Sequence, residues 1–313
     1  MDKINIKPFN EFWLNCSFNA HLSIMTSINP KYNDLAYLNC YTYVNKMQIP
    51  KGITIENEDE VQKSILQSAS YQEAICFKDK SDEEMLLHII ELLNNQNLFI
   101  GVDLFYWLPD TICWQKLHWS HYALVTGYNS NDNTFVVLDS DAYKYGKFEI
   151  PRERFITAVR NCPFKPEGYT ITINSNPSDF SLELNAVIQN AEKIIENIEN
   201  HLEANDIWEY SPYHMQAGQH FEFFSMFAYQ IMNRQIANSL LFKRLAELKL
   251  INDKTCAGAV NSFNELRIGW ETIKNIFIKS GLMSPRALDI DRLIAIKNSL
   301  LKQEKAVWEH FVY

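Results

Sequence analysis

The sequence predicts an α+β domain followed by an all-α helical domain, and three observations carry that expectation. Three helical patterns precede residue 97, four short runs rich in β-branched and aromatic residues fall between 98 and 173, and no strand signal appears beyond 179. Glycine is scarce, nine residues in 313, well below the usual share of about 7%. That argues against a turn-rich all-β fold. A chain that is 47% hydrophobic and 21% charged can bury a sizeable core and is not a disordered linker.

Residues 16–27, CSFNAHLSIMTS, read as the first helix. An aromatic approach of Phe9, Phe12 and Trp13 precedes it, and Asn15 stands where an N-cap acceptor belongs. A second helix is expected over 58–69 and a third over 82–96. The third is signalled by the capping box of Ser81 and Glu84, ahead of the apolar positions Met85, Leu86, Ile89, Ile90 and Leu93. The period then changes to strands at 98–104, 121–128, 134–139 and 168–173. The turn chemistry of NSNDN joins the second and third of these into an antiparallel hairpin. PRERFITAVR reads as a short helix with proline at its first position.

SNPSD, at 175–179, marks a boundary, so the expected domains are 1–175 and 176–313. Beyond it Leu184, Val187, Ala191, Ile194, Ile198 and Leu202 repeat at helical spacing. Three further helices are expected at 214–249, 256–280 and 286–311. Phe263, Leu266, Trp270, Ile273 and Phe277 form one stripe, Gly281 ends that helix and Pro285 opens the next. Four helices with short connections predict a bundle.

A formal charge of −9 disfavours nucleic acid, whose affinity rests on lysine and arginine contacts to phosphate. The N-terminal residues MDKINIKPFNEFWLNC carry charges and a proline, and the apolar run at 98–102 stops at Asp103. The expectation is a soluble, cytoplasmic protein with no membrane partner. Six cysteines, Cys16, Cys40, Cys76, Cys113, Cys162 and Cys256, lack a CxxC pair and read as reduced thiols. Cys113, His118 and His121 are irregularly spaced for zinc, so no metal is expected.

Cys16 is the first candidate for chemistry. A thiol in the first helical turn meets unsatisfied N–H groups and the positive end of the helix dipole, both of which favour a thiolate nucleophile. His121 opens one strand of the expected hairpin and Asp139 ends the other, so the two fall at the same end. A carboxylate on one ring nitrogen holds a histidine so that the other nitrogen can exchange a proton with a nucleophile.

Cysteine on an N-terminal helix, histidine at a strand start and aspartate at the end of the next strand is the order of papain-like cysteine enzymes. FIGVDLFYWLPD, HWSHYALVTGYN and FVVLDSD resemble the N-terminal domain of the butirosin biosynthesis protein H family over roughly residues 10–175. The resemblance implies a papain-like domain with Cys16 as nucleophile, His121 as general base and acid, and Asp139 as orienting acid. Papain-like peptidases carry a glutamine six residues before the cysteine to hold the oxyanion. Asn10 stands there in this chain and is the oxyanion candidate, and Asp141 is a rival for the third position.

The resemblance also implies an acyltransferase of secondary metabolite biosynthesis. It would move an (amino)acyl group from an acyl or peptidyl carrier protein, where a phosphopantetheine arm bears it as a thioester, to a small-molecule amine acceptor. No resident cofactor is implied. A peptidase, amidase or other hydrolase with the same triad is the alternative, and a non-catalytic carrier-binding scaffold is a third. Asp103, within an apolar run, either contacts substrate or pairs with a buried partner. Tyr106, with Trp107 and Trp114, either lines an acyl pocket or belongs to the core. An acidic carrier would need a local basic patch, for which Lys144, Lys147, Arg152 and Arg154 are the candidates.

Overall fold

Local sequence signals set most element boundaries. In the computed structural model the elements run α1 (Cys16–Ile28), α2 (Tyr32–Leu38), β1 (Tyr41–Lys46), β2 (Gly52–Asn57), β3 (Ser70–Cys76), α3 (Asp82–Leu93), β4 (Asn97–Asp103), β5 (Ser120–Asn129), β6 (Thr134–Ser140), β7 (Tyr145–Pro151), α4 (Arg152–Arg160), β8 (Glu167–Ile173), α5 (Leu184–Glu203), α6 (Ala217–Glu247), α7 (Asp253–Met283) and α8 (Ile290–Val312). The structure describes residues 4–38, 40–46, 52–57, 63, 66–67, 70–111, 113–141, 144–162, 167–173, 180–203, 217–283 and 289–313. The helix expected over 58–69 lies largely outside them, as do His214 and Pro285. Among the described residues no helix is long and apolar enough to cross a membrane.

The chain is mixed α+β and divides into two compact units, Met1–Asn33 with Asp59–Asp179, and Asp34–Glu58 with Phe180–Tyr313. The second unit therefore takes in 34–58 as well as the helices beyond the expected boundary. Pairing explains why: β1 and β2 pair with each other in a two-stranded sheet, and the Tyr43 N–H donates to Asn197 Oδ1 of α5 at 2.6 Å.

In the first unit a six-stranded antiparallel sheet has the order β3-β8-β4-β5-β6-β7. Every residue of β4 is buried, as a central strand covered on both faces requires. Met85, Leu86 and Ile89 of α3 and Phe155 and Val159 of α4 share a core with Ile100, Val102, Val125 and Val137. The rings of Phe135 and Phe155 stack with centroids 3.8 Å apart. The capping box forms as expected: Ser81 Oγ accepts from the Glu84 N–H at 3.3 Å, and Glu84 Oε2 accepts from the Ser81 N–H at 2.8 Å. Gly168 is required where β8 meets β4, because a Cβ there would lie 2.8 Å from the Phe99 carbonyl oxygen. Pro151 ends β7 and caps α4, so the helix begins at Arg152, one residue later than the proline-first reading.

Among its described residues, the regular elements of the second unit are helices apart from β1 and β2. The stripe Phe263, Leu266, Trp270, Ile273 and Phe277 is fully buried, as its spacing predicts. Gly281 does not end α7, which runs on to Met283; a glycine near a helix end lowers propensity without forcing a stop. α8 starts from Asp289, whose Oδ1 accepts from the Arg292 N–H at 3.0 Å. Glu304 is buried in this unit and accepts from the Tyr41 hydroxyl, the Tyr43 hydroxyl at 2.6 Å and Gln235 Nε2 at 2.7 Å.

Candidate active site

The segment before α1 is fastened by one buried amide. Asn19, fully buried, donates from Nδ2 to the carbonyls of Phe9 (3.1 Å) and Phe12 (2.8 Å), and its Oδ1 accepts from the Leu14 N–H at 3.2 Å. Ser23 Oγ accepts from the Phe9 N–H at 2.8 Å. This lock delivers Asn15 to the N-cap, where its Oδ1 accepts from the Phe18 N–H at 2.7 Å. Cys16 is then the first helical residue, half-buried. The N–H groups of Cys16 and Ser17, in the first turn, have no intrahelical acceptor and point out of the helix end.

The β5–β6 hairpin supplies the histidine and the carboxylate. Stepping once from the pair Leu124↔Leu138 sets Asp139 level with Ala123, two residues from His121 on the same side, a diagonal distance that long side chains span. His121 Nε2 lies 3.0 Å from Asp139 Oδ1 and 3.1 Å from Oδ2. Asp139 is buried; its Oδ2 also accepts from Trp107 Nε1 at 2.7 Å and its Oδ1 from the Ser140 N–H at 2.8 Å. Asp141 instead accepts from the Lys144 N–H at 2.9 Å in the turn before β7. Between the two aspartates, the contact to the imidazole belongs to Asp139.

With Nε2 committed to Asp139, Nδ1 is the ring atom left for exchange with sulfur. The donor atoms of Cys16, His121 and Asp139 all lie within 4.8 Å of one another. Burial, the largest single influence on the ring, works against its charged form, yet the negative charges of Asp139 and then Cys16 outweigh it. The net result is a His121 pKa well above the ordinary 6.5. Cys16 Sγ also lies 2.9 Å from Ser140 Oγ. A cavity of about 360 Å³ adjoins the imidazole, lined by Ser17, His21, Phe99, Ser120, Tyr122 and Tyr169 as well as His121.

Of the remaining sequence candidates, Asp103 and Tyr106 have other surroundings. Asn10 is exposed beside the fastened Phe9. Asp103 is fully buried, with Oδ1 accepting from the N–H groups of Phe105 (3.0 Å) and Trp119 (3.2 Å) and Oδ2 held 2.6 Å from His118 Nδ1. It thus takes the buried-partner role, fixing the 104–119 loop. Tyr106 lines a different cavity of about 410 Å³ with Phe105, Trp114 and Arg154. Arg152 is paired with Glu83 at 2.5 Å and the Arg154 guanidinium sits 4.9 Å from the Trp114 ring centroid. Lys144 Nζ also sits 5.8 Å from the Phe148 ring centroid, so three of the four basic candidates are already engaged.

Sequence reasoning missed Ser140, Asn19 and the role of Trp107. Trp107 carried a usable signal, since a buried indole N–H requires an acceptor. Cys113 and His118 are not among the donor atoms gathered at Cys16. No family model and no curated protein matches the chain.

Proposed function

We propose that this chain is a cysteine-dependent acyltransferase on a papain-like scaffold, with Cys16 as nucleophile, His121 as general acid and base, and Asp139 as the carboxylate that orients the ring. The observation that supports it most is the convergence of these three side chains within 4.8 Å, with Cys16 at a helix start. The Cys16 thiolate attacks the carbonyl carbon of an acyl thioester, and the N–H groups of Cys16 and Ser17 at the helix start are donors for the oxyanion. Collapse breaks the donor's C–S bond, and the His121 imidazolium protonates the departing thiolate. An amine then attacks the Cys16 thioester, neutral His121 takes the amine proton, and Cys16 leaves as thiolate, restoring the starting pair.

A thioester donor suits this site because thiol exchange is nearly isoenergetic, whereas an amide must have its leaving amine protonated. An acyl or peptidyl carrier protein presenting its acyl group on a phosphopantetheine arm would be such a donor. The cavity of about 360 Å³ is at the small end of ligand pockets, about 300–1,000 Å³. That size, with aromatic walls, supports a small-molecule amine acceptor over an extended peptide.

The test is amide formation from a synthetic acyl thioester and a panel of primary amines. The wild type should form amide faster than it releases free acid, and Cys16→Ser should form none. Release of free acid at one rate with or without every amine would assign a hydrolase. No turnover of any thioester would favour a binding scaffold.

A further inference from the structure

We propose that Ser140 is a fourth catalytic group, its hydroxyl donating a hydrogen bond to the Cys16 sulfur while its backbone N–H holds Asp139. The two contacts are 2.9 Å from Oγ to Sγ and 2.8 Å from N to Oδ1. The inference rests on Cys16 being the nucleophile. A thiolate carries no proton, so in the reactive state the hydroxyl is the donor, and a hydrogen bond to a charged acceptor is among the stronger kinds. One residue at the end of β6 thereby fixes both ends of the triad.

The consequence is a tuned sulfur. A donated hydrogen bond stabilises the thiolate charge while lowering its intrinsic reactivity. Once sulfur is acylated it is a poor acceptor, and the hydroxyl is released. It bonds again as the thiolate is expelled, which favours that expulsion in the second half-reaction. The titratable groups around the sulfur are His121 from β5, Asp139 from β6 and Tyr145 from β7. On α1 itself His21 Nδ1 is turned to the Ser17 carbonyl at 2.7 Å. None of these side chains is removed by Ser140→Ala.

The experiment is alkylation of the full chain by iodoacetamide from pH 5 to 10, with the label quantified on the Cys16 peptide. The exposed Cys76 is replaced by serine in every sample. Ser140→Ala should move the rising limb of the rate profile upward by about one pH unit, lowering the rate at the foot of that limb about tenfold. Its alkaline plateau should equal or exceed that of the wild type. Ser140→Thr, which keeps a hydroxyl, should return the limb toward its original place. A Ser140→Ala profile superimposable on the wild type would overturn the proposal, as would Ser140→Thr and Ser140→Ala shifting equally with lowered plateaus. Wild-type Cys16 inert at every pH would instead remove the nucleophile reading beneath it. Alkylation needs neither donor nor acceptor, so failed acyl transfer alone leaves this test intact.

Discussion

Replacing Asp139 by asparagine leaves the backbone in place and removes one charge. Asp139 receives three donors, from Trp107, Ser140 and His121, on two oxygens. An amide has a single oxygen, so its NH2 must face the indole N–H or the Ser140 N–H. One buried donor left unpaired costs about 1–3 kcal/mol, and the attraction to the imidazolium is lost as well. Asp139→Asn should therefore lower unfolding free energy by about 2–4 kcal/mol near pH 6.

The sign of its pH dependence follows from the ring. His121 has a folded pKa raised above 6.5, so its stabilising charge is fully present below pH 6.5 and is lost as pH rises through the folded value. The stability gap between wild type and Asp139→Asn should be widest below pH 6.5 and narrow above the folded pKa. Burial opposes the ring's charge, so without Asp139 the pKa should fall. Urea denaturation at a series of pH values measures the gap, and NMR titration of the imidazole measures the ring. A His121 that titrates at the same pH in both proteins would refute the assignment of Asp139 as its partner.

Asn19→Ala removes three hydrogen bonds to the segment before α1 and should cost about 2–4 kcal/mol in chemical denaturation. It should also slow Cys16 alkylation; an unchanged rate would mean that the fastened segment does not set the cysteine. Glu304 has its pKa raised above 4.5 by burial, partly offset by hydrogen bonds from Tyr41, Tyr43 and Gln235. Its contribution is complete below pH 4.5 and is lost as pH rises through the folded value. Glu304→Gln, neutral throughout, should therefore gain stability relative to wild type as pH increases from 4.5. A difference constant with pH would contradict this.

What the sequence discloses is local. Asn15, Cys16 and the Ser81–Glu84 box were legible because a cap and its helix are neighbours, and His121 with Asp139 because a short turn joins their strands. Ser140 meets Cys16 across 124 residues, and no spacing rule reports such a pair. Trp107 reaches Asp139 across 32 residues, and its apolar surroundings read equally as core. Asn19 resembles an ordinary helix residue until the segment it fastens is seen. The strands at 41–46, 52–57, 70–76 and 145–151 are hidden because tyrosine, asparagine, lysine and glutamate dilute their alternation. The β1–β2 pair joins the helical unit through contacts such as that to Asn197, which local pattern does not encode.

The central claim is that Cys16 forms a covalent acyl intermediate assisted by His121. Brief exposure of the protein to a synthetic acyl thioester, followed by acid quench, intact-mass measurement and peptide mapping, tests it directly. The account predicts one acyl group, on Cys16, absent from Cys16→Ser and formed at least about a hundredfold more slowly in His121→Ala. Acyl transfer to a different residue, or loading of Cys16 at an undiminished rate in His121→Ala, would contradict it.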